Sequence, residues 1–177
     1  RPFVFQRKQL VFHAIYCYNL GKKKKKKDSC FMNEIIYKRA DADEIETIIR
    51  LQSDVFHIEQ GIPEDLVEEF LSRNPICWCA KRNGKIIGTA IAWLEDGIMH
   101  WGRFVVLPPY RGKKIGPKLA RYSFEDLFSM GVEEIHMTAR DTTVKIVCEM
   151  GGEVTGEPYE FYKGCVTPVV LKRGNYR

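Results

Sequence analysis

The segment from Gly102 to Leu119, GRFVVLPPYRGKKIGPKL, has the residue types and the spacing of an anion-binding turn. Two prolines end an apolar strand, and a basic turn with glycines at 112 and 116 then leads into a helix. The amides of the first turn of a helix have no intrahelical partner, and the helix dipole places partial positive charge beside them. We therefore expect a phosphate-like anion to bind at the start of this helix.

We compare three interpretations of this turn. The simplest is a solvated basic helix start. A dinucleotide-binding fold is the second, but it needs three glycines after a first strand and an acidic residue further on, which this sequence lacks. The third is the pyrophosphate loop of an acyl-coenzyme A (acyl-CoA) binding domain, Arg/Gln-x-x-Gly-x-Gly/Ala, on whose first and last positions Arg111 and Gly116 fall. Through this motif the chain resembles the GNAT superfamily of acyltransferases, although Lys114 stands where the superfamily has its first glycine.

The resemblance implies that acetyl-CoA donates an acetyl group directly to an amine in a ternary complex. Pantetheine is then expected along the backbone of Phe104, Val105 and Val106. The amide of Val106 is expected to polarise the thioester carbonyl as charge develops on its oxygen. The pyrophosphate is expected to contact the loop, which consists of Arg111, Gly112, Lys113, Lys114, Ile115 and Gly116.

Three side chains are candidates for moving protons in this reaction. Glu59 lies at the predicted end of the first helix, beside the acceptor cleft of related folds, and local pairing is the alternative role. His100 is the second candidate base, because the ordinary pKa of a histidine suits proton transfer near neutrality, and a core position is its alternative. Many family members carry an acidic tyrosine four residues before the glycine that ends the last helix, but Val147 stands there. Tyr162 and Tyr159 on the closing hairpin are the candidate substitutes. CoA thiolate is a good leaving group, so a reaction without an acid is the alternative.

Strand alternation makes a further prediction about the residues around the catalytic strand. It places His100 on one face with Gly102, Phe104 and Val106. Arg103 would then lie on the opposite face with Trp101, where it anchors a substrate carboxylate or pairs with an acid.

Two other segments resemble the ElaA-like branch of the superfamily. Residues 55–60 match its VFxxEQ segment, and residues 102–106 match its GRVVV strand. The chain departs from the branch at Gln52, where the branch has arginine, and near Thr167 and Pro168, where the branch carries a Pro-His pair.

The elements that must position these residues follow the GNAT order over residues 33–173. Hydrophobic periodicity and turn residues predict strands at 34–39, 76–81, 85–95 and 134–137, one strand ending at the basic turn, and a closing hairpin through Val154 and Val166. Predicted helices are one capped by Asp41 or Asp43, one from Pro63 to Asn74, one from Gly116 to Gly131, and one over 142–150 capped by Asp141. The predicted fold class is α/β (α+β), the GNAT acyl-CoA N-acyltransferase fold with a mixed, mostly antiparallel seven-stranded sheet and about four helices.

The net charge of +5 comes from the first 31 residues, which hold nine Lys and Arg and one Asp. Residues 32–177 hold 19 basic and 22 acidic residues, so they lack the basic surplus typical of nucleic-acid-binding domains. Six consecutive lysines indicate that residues 1–31 form a disordered leader, with Met32 as the native start and residues 32–177 as a single GNAT acyltransferase domain. A basic arm that contacts a membrane or a nucleic acid is the alternative.

Six cysteines without a secretory signal favour a reducing, cytoplasmic protein rather than a disulfide framework. Cys77 and Cys79 share a strand face, and the lack of a second matched pair favours buried thiols over a metal site. The expected partners are acetyl-CoA and a small-molecule or peptide amine, with no metal, nucleic acid or membrane, and the sequence allows a homodimer. A catalytically weak acyl-CoA sensor and an enzyme like acyl-homoserine-lactone synthases are the alternative functions.

Overall fold

The computed structural model describes residues 34–63 and 74–177, which contain three α-helices and eight strands. Ile36–Arg177 form one compact unit. The predicted leader and residues 64–73 of the predicted second helix lie outside the described residues. The helices are α1 (Ile45–Gln60), α2 (Ile115–Ser129) and α3 (Asp141–Glu149). The strands are β1 (Ile35–Arg39), β2 (Ile76–Arg82), β3 (Lys85–Glu95), β4 (Ile98–Val106), β5 (Glu134–Ala139), β6 (Glu153–Val154), β7 (Tyr159–Glu160) and β8 (Cys165–Lys172).

The strands form a mixed sheet in the order β1-β2-β3-β4-β5-β8-β6, with β7 paired to β8. Strands β4 and β5 are parallel, whereas β3 pairs antiparallel with β2 and β4, and β8 pairs antiparallel with β5, β6 and β7. The predicted mixed, mostly antiparallel sheet is confirmed, and the short β7 adds a strand to the seven predicted. The parallel ladder joins only Met99 to Ile135 and His100 to His136. Both strands continue beyond these pairs, so a gap opens between their carboxyl ends.

A short 3₁₀ helix, Ala42–Glu44, leads directly into α1, and Asp41 is its N-cap in a capping box with Glu44. The N-cap of α1 itself is Glu44, so of the two predicted caps Asp41 caps the 3₁₀ helix and neither caps α1. The buried Glu44 carboxylate also binds the amino groups of Lys38 and Lys81. Burial alone would raise the pKa of Glu44, but hydrogen bonds from Lys81, the Asp41 amide and Lys38 together lower it to about 2. At its other end, α1 stops at Gly61, which has a φ of 68° as predicted for a helix-terminating glycine.

Two tight turns set the register of β2, β3 and β4. Asn83 and Gly84 have φ values of 52° and 76°, and Asp96 and Gly97 have φ values of 51° and 78°. Positive φ at both central residues is the conformation that matches the twist of an antiparallel hairpin. The turn residues therefore determine the hairpins that bring β4 to the centre of the sheet.

The core lies on both faces of the central strands. Ile48 of α1 packs with Cys79 and Ile91 on one face, and Trp101 packs against Phe124 of α2 on the other, with ring centroids 4.8 Å apart. Cys77 and Cys79 are buried as predicted, and burial raises the pKa of each thiol to about 11.

The predicted cap of the last helix is wrong by one residue. Arg140 occupies the N-cap position of α3, and Asp141 is the first helical residue. A carboxylate in the first turn still interacts favourably with the helix dipole, which explains why the sequence pattern pointed to Asp141.

Candidate active site

A cavity of about 470 Å³ lies where β4 and β5 part. Nine of its sixteen lining residues are apolar, namely Phe56, Ile62, Trp93, Trp101, Phe104, Met137, Ala139, Phe161 and Val166. Six others carry polar side chains, namely Gln60, His100, Arg103, Thr138, Arg140 and Thr143, and Gly102 completes the lining. An apolar cavity with a few converging polar groups is the usual form of a small-molecule site.

Strand β4 carries a bulge at Arg103, whose φ is 47°. Thr89 of β3 pairs with Val105 and Ile91 pairs with Gly102, so β4 has one more residue than β3 in this interval. The side-chain nitrogen of Gln52 holds the bulge, because Nε2 donates to the Arg103 carbonyl at 2.9 Å and to Thr89 Oγ1 at 3.0 Å. Gln52 is fully buried, and its Oε1 has no hydrogen-bond partner among the described residues. A buried polar atom without a hydrogen-bond partner lowers the stability of the fold, and atoms of this kind are often found at functional sites.

The bulge changes which residues of β4 share a face. Phe104 packs against Trp101, with ring centroids 5.1 Å apart, and the Arg103 guanidinium lies 6.0 Å from the centroid of the Phe56 ring of α1. The predicted alternation, which grouped Phe104 with His100 and Arg103 with Trp101, is therefore wrong beyond Gly102. The physical reason is that an inserted residue shifts the two-residue period of the strand.

The predicted anion-binding turn connects β4 to α2. Gly112 and Lys114 both adopt left-handed conformations, with φ values of 73° and 59°, and Lys114 is the N-cap of α2. A Cβ added to Gly112 would meet no atom within 4 Å, so only the backbone conformation favours glycine there. A Cβ added to Gly116 would lie 3.2 Å from Phe104 Cζ. Gly116 therefore lets α2 pack closely on β4, a packing role that the motif did not reveal.

The other loop residues differ in exposure and contacts. Gly112, Lys113 and Lys114 are exposed, whereas Ile115 and Gly116, the first two residues of α2, are buried. The Lys113 ammonium donates to the Pro109 carbonyl at 2.9 Å. A cluster of exposed lysines at a helix N-terminus is chemically suited to an anion.

Arg111 joins this loop to α1. Its Nε donates to the Val106 carbonyl at 2.8 Å, and its Nη2 donates to both carboxylate oxygens of Glu59, at 2.9 and 2.8 Å. Both side chains are partly exposed. The residue predicted to bind pyrophosphate and the residue predicted to act as a base thus form an ion pair.

The three candidate proton-transfer residues lie in different environments. His100 lines the cavity, and its ring stacks on Trp93 with centroids 5.4 Å apart and an interplanar angle of 14°. Glu59 and Tyr162 are not among the lining residues. Tyr162 is 49% exposed with a φ of 49°, and its neighbour Phe161 lines the cavity. Val147, at the position of the usual tyrosine, is completely buried.

The model of the acetyltransferase (GNAT) family matches residues 43–146, which is more than half of the chain. The chain belongs to the GNAT acetyltransferase family. Comparison with curated proteins gave no match.

Solved structures agree with this GNAT assignment. ElaA of Escherichia coli is 18% identical with a TM-score of 0.69, over 78% of this chain and all of that one. An acyl-CoA N-acyltransferase of Pseudomonas aeruginosa is 16% identical with a TM-score of 0.65, over 78% of this chain and 98% of that one. YncA of Salmonella typhimurium, solved with its cofactor acetyl-CoA, is 16% identical with a TM-score of 0.62, over 78% of this chain and 94% of that one. At these identities the likeness establishes the GNAT fold.

Gln60, Arg140 and Phe161 are among the cavity-lining residues of this GNAT protein that sequence reasoning did not assign to the site. Arg140 had a readable signal, because it directly follows β5, and ligands of α/β sheets bind beyond the carboxyl ends of parallel strands. In the described part of the chain, no cluster of His, Cys, Asp and Glu is suited to a metal ion. No helix there has the length and apolar composition needed to cross a membrane.

Proposed function

We propose that this GNAT protein transfers the acetyl group of acetyl-CoA to a primary amine of a small molecule or peptide, by direct attack in a ternary complex. The observation that carries the proposal is the gap between β4 and β5, which begins after His100, includes the bulge at Arg103 and is continuous with the cavity. An extended thioester arm fits a gap between two strands, and an amine fits the cavity beside it. The YncA structure with acetyl-CoA supports this donor.

The residues present suit the donor. The backbone of Phe104, Val105 and Val106 faces the gap as the edge of β4, and Arg111 to Gly116 form the basic turn at the start of α2. We assign pantetheine to the first segment and pyrophosphate to the second. Hydrogen-bond donors fixed by the bulge in β4 would stabilise the negative charge that develops on the thioester oxygen.

The reaction requires two protons to leave the ammonium group. The first departs before attack, and the neutral nitrogen then attacks the acetyl carbon. The second leaves the nitrogen as the C–S bond breaks, and the CoA thiolate that departs is able to take it up. His100 is our first candidate for the base because it lines the cavity, and Glu59 is the second because its carboxylate pairs with Arg111. CoA thiolate is a good leaving group, so Tyr162 has at most a supporting role as an acid.

We also infer that residues 32–177 form the catalytic domain and that the protein acts in the cytoplasm without a nucleic-acid or membrane partner. The mildly acidic balance of these residues supports this inference.

The test is to incubate the purified protein with acetyl-CoA and a panel of primary amines, and to detect acetylated products by mass spectrometry. Acetyl-CoA affinity is measured in parallel by calorimetry. Acetylation of at least one amine with stoichiometric release of CoA supports the proposal. Binding of acetyl-CoA without transfer to any amine would favour the sensor alternative, and failure to bind acetyl-CoA would contradict both functions.

A further inference from the structure

Arg140 lies at the wall of the cavity with its guanidinium group held among neutral acceptors. Nε and Nη2 each donate to Gln60 Oε1 at 3.3 Å, Nη2 donates to the Phe161 carbonyl at 2.9 Å, and Nη1 donates to the Cys165 carbonyl at 3.2 Å. The guanidinium carbon also lies 5.9 Å from the centroid of the Phe161 ring. A guanidinium has five N–H groups, so these four hydrogen bonds leave one N–H without a partner among the described residues. The contacts fix the orientation of the cation without neutralising its charge.

Three other arginines of the described chain are neutralised by carboxylates. Arg111 pairs with Glu59 at 2.8 Å, Arg173 pairs with Glu133 at 3.0 Å, and Arg39 pairs with Asp126. Arg140 has no ion pair within residues 34–63 and 74–177, although it is less exposed than these three. A partly buried charge without a counterion is costly to a protein, which favours a counterion supplied by a ligand.

The described part of the cavity lining carries no carboxylate. Its ionisable residues are His100, Arg103 and Arg140. The charge of Arg140 repels a simple alkylammonium ion, since both groups are positive. An amine that also carries an anionic group does not suffer this penalty.

The apolar residues that line the cavity indicate what side chain the acceptor carries. The rings of Phe56, Trp93 and Phe161 face a space large enough for a ring-sized apolar group beside a thioester arm. Resting on the acetyltransferase function proposed above, we propose that the acceptor is a primary amine bearing a carboxylate and an apolar side chain, as in an apolar α-amino acid. Arg140 binds the carboxylate through the one N–H group that has no partner among the described residues, in a charge-assisted hydrogen bond. Arg140 is thus a specificity-determining residue.

The experiment compares pairs of acceptors that differ only in the carboxylate. Phenylalanine, tryptophan and leucine are each assayed beside their primary amides, with acetyl-CoA as donor, and the ratio of kcat/KM for acid over amide is measured. We expect a ratio of about ten or more for at least one pair. The loss of one charge-assisted hydrogen bond costs about 1.5–3 kcal/mol, which corresponds to a change of at least about tenfold in kcat/KM. Amidation makes the amine easier to deprotonate, so a preference for the acid does not arise from amine basicity.

Variants then test whether Arg140 causes the preference. In Arg140→Gln the ratio should fall to about one, and Arg140→Lys should retain part of it because the charge remains. Arg173→Gln is the matched control, since Arg173 is exposed and pairs with Glu133 away from the cavity, and it should keep the wild-type ratio. A purely structural Arg140 would instead lower the rates for acid and amide together and leave their ratio intact, which would overturn the inference.

A binding measurement separates failure of this inference from failure of the proposed function. Calorimetry with CoA present compares N-acetylphenylalanine with N-acetylphenylalaninamide on the wild type and on Arg140→Gln. Selective binding of the acid that is lost in the variant supports the carboxylate site even if no amine is acetylated. Equal binding of the two compounds, or no binding of either, overturns it. Efficient acetylation of amides and simple amines over acids overturns it too, while supporting acetyl transfer itself.

Discussion

The carboxylate of Glu59 accepts two hydrogen bonds from a single nitrogen of Arg111, at 2.9 and 2.8 Å. The pair joins the last turn of α1 to the loop that precedes α2. If Arg111 binds pyrophosphate, then Glu59 and the donor compete for the same guanidinium group. The ion pair therefore links the donor side of the proposed site to the helix that forms the acceptor side.

Glu59→Gln should tighten acetyl-CoA binding, because Arg111 no longer has a competing carboxylate. An exposed ion pair is worth about 0.2–1 kcal/mol, which corresponds to roughly 1.5- to 5-fold in affinity. Calorimetry checks the change, and Glu46→Gln removes the same charge from an exposed site near the other end of α1 as a control. Weaker binding in Glu59→Gln would mean that Glu59 orients Arg111 rather than competing for it.

His100→Asn should lower turnover by about a hundredfold or more with little change in acetyl-CoA affinity, since general-base catalysis is typically worth 10²- to 10⁴-fold. The acid limb of the pH–turnover profile should disappear with it. His136→Asn is the control, because the His136 ring lies 6.2 Å from the His100 ring but does not line the cavity. If Glu59→Gln removes the limb and His100→Asn does not, the base is Glu59.

Gln52→Met should reduce turnover by about tenfold to a hundredfold, because a small displacement of the bulge misplaces the thioester. The free energy of unfolding should fall by only about 1–3 kcal/mol. Thr89→Val is the comparison, since it removes one hydrogen bond of Gln52 and keeps the bond to the Arg103 carbonyl. Equal losses of turnover in the two variants would argue against a specific role for the Arg103 contact.

Gly116→Val should weaken acetyl-CoA binding more than Lys118→Ala and should also lower the melting temperature. The added side chain meets Phe104 at 3.2 Å, and overpacking of this kind costs about 1–3 kcal/mol. Lys118→Ala should lose about 1 kcal/mol or less, and only at low salt. Calorimetry at two salt concentrations and thermal melts measure both effects, and a glycine effect that vanishes in high salt would indicate a diffuse basic patch.

Acid should destabilise the capping box at the start of α1. The pKa of Glu44 is lowered from 4.5 to about 2, so its stabilising contribution is complete above pH 4.5 and is lost as the pH falls towards 2. Glu44→Gln should therefore flatten the dependence of stability on pH in this window, and Lys81→Met should do so in part. Denaturant midpoints at several pH values measure this, and an unchanged slope in both variants would contradict the assignment.

The sequence by itself determined the features that depend on neighbouring residues. The Asn83-Gly84 and Asp96-Gly97 turns, the end of α1 at Gly61 and the basic turn before α2 were all readable, because each is set by local backbone preferences. The loop motif, together with the order of predicted elements over residues 33–173, also sufficed to indicate the GNAT family, which the family model confirms.

Only the tertiary structure decided which side chains meet in the cavity. Arginine does not signal a left-handed φ, so the bulge at Arg103 and the altered faces of β4 could not be read from alternation. Arg140 meets Gln60 across 80 residues of sequence, and Arg111 meets Glu59 across 52. Such contacts depend on how the sheet orders β4, β5 and β8 and where α1 packs, which no local pattern specifies. The geometry of the sheet therefore decides which charged side chains line the cavity.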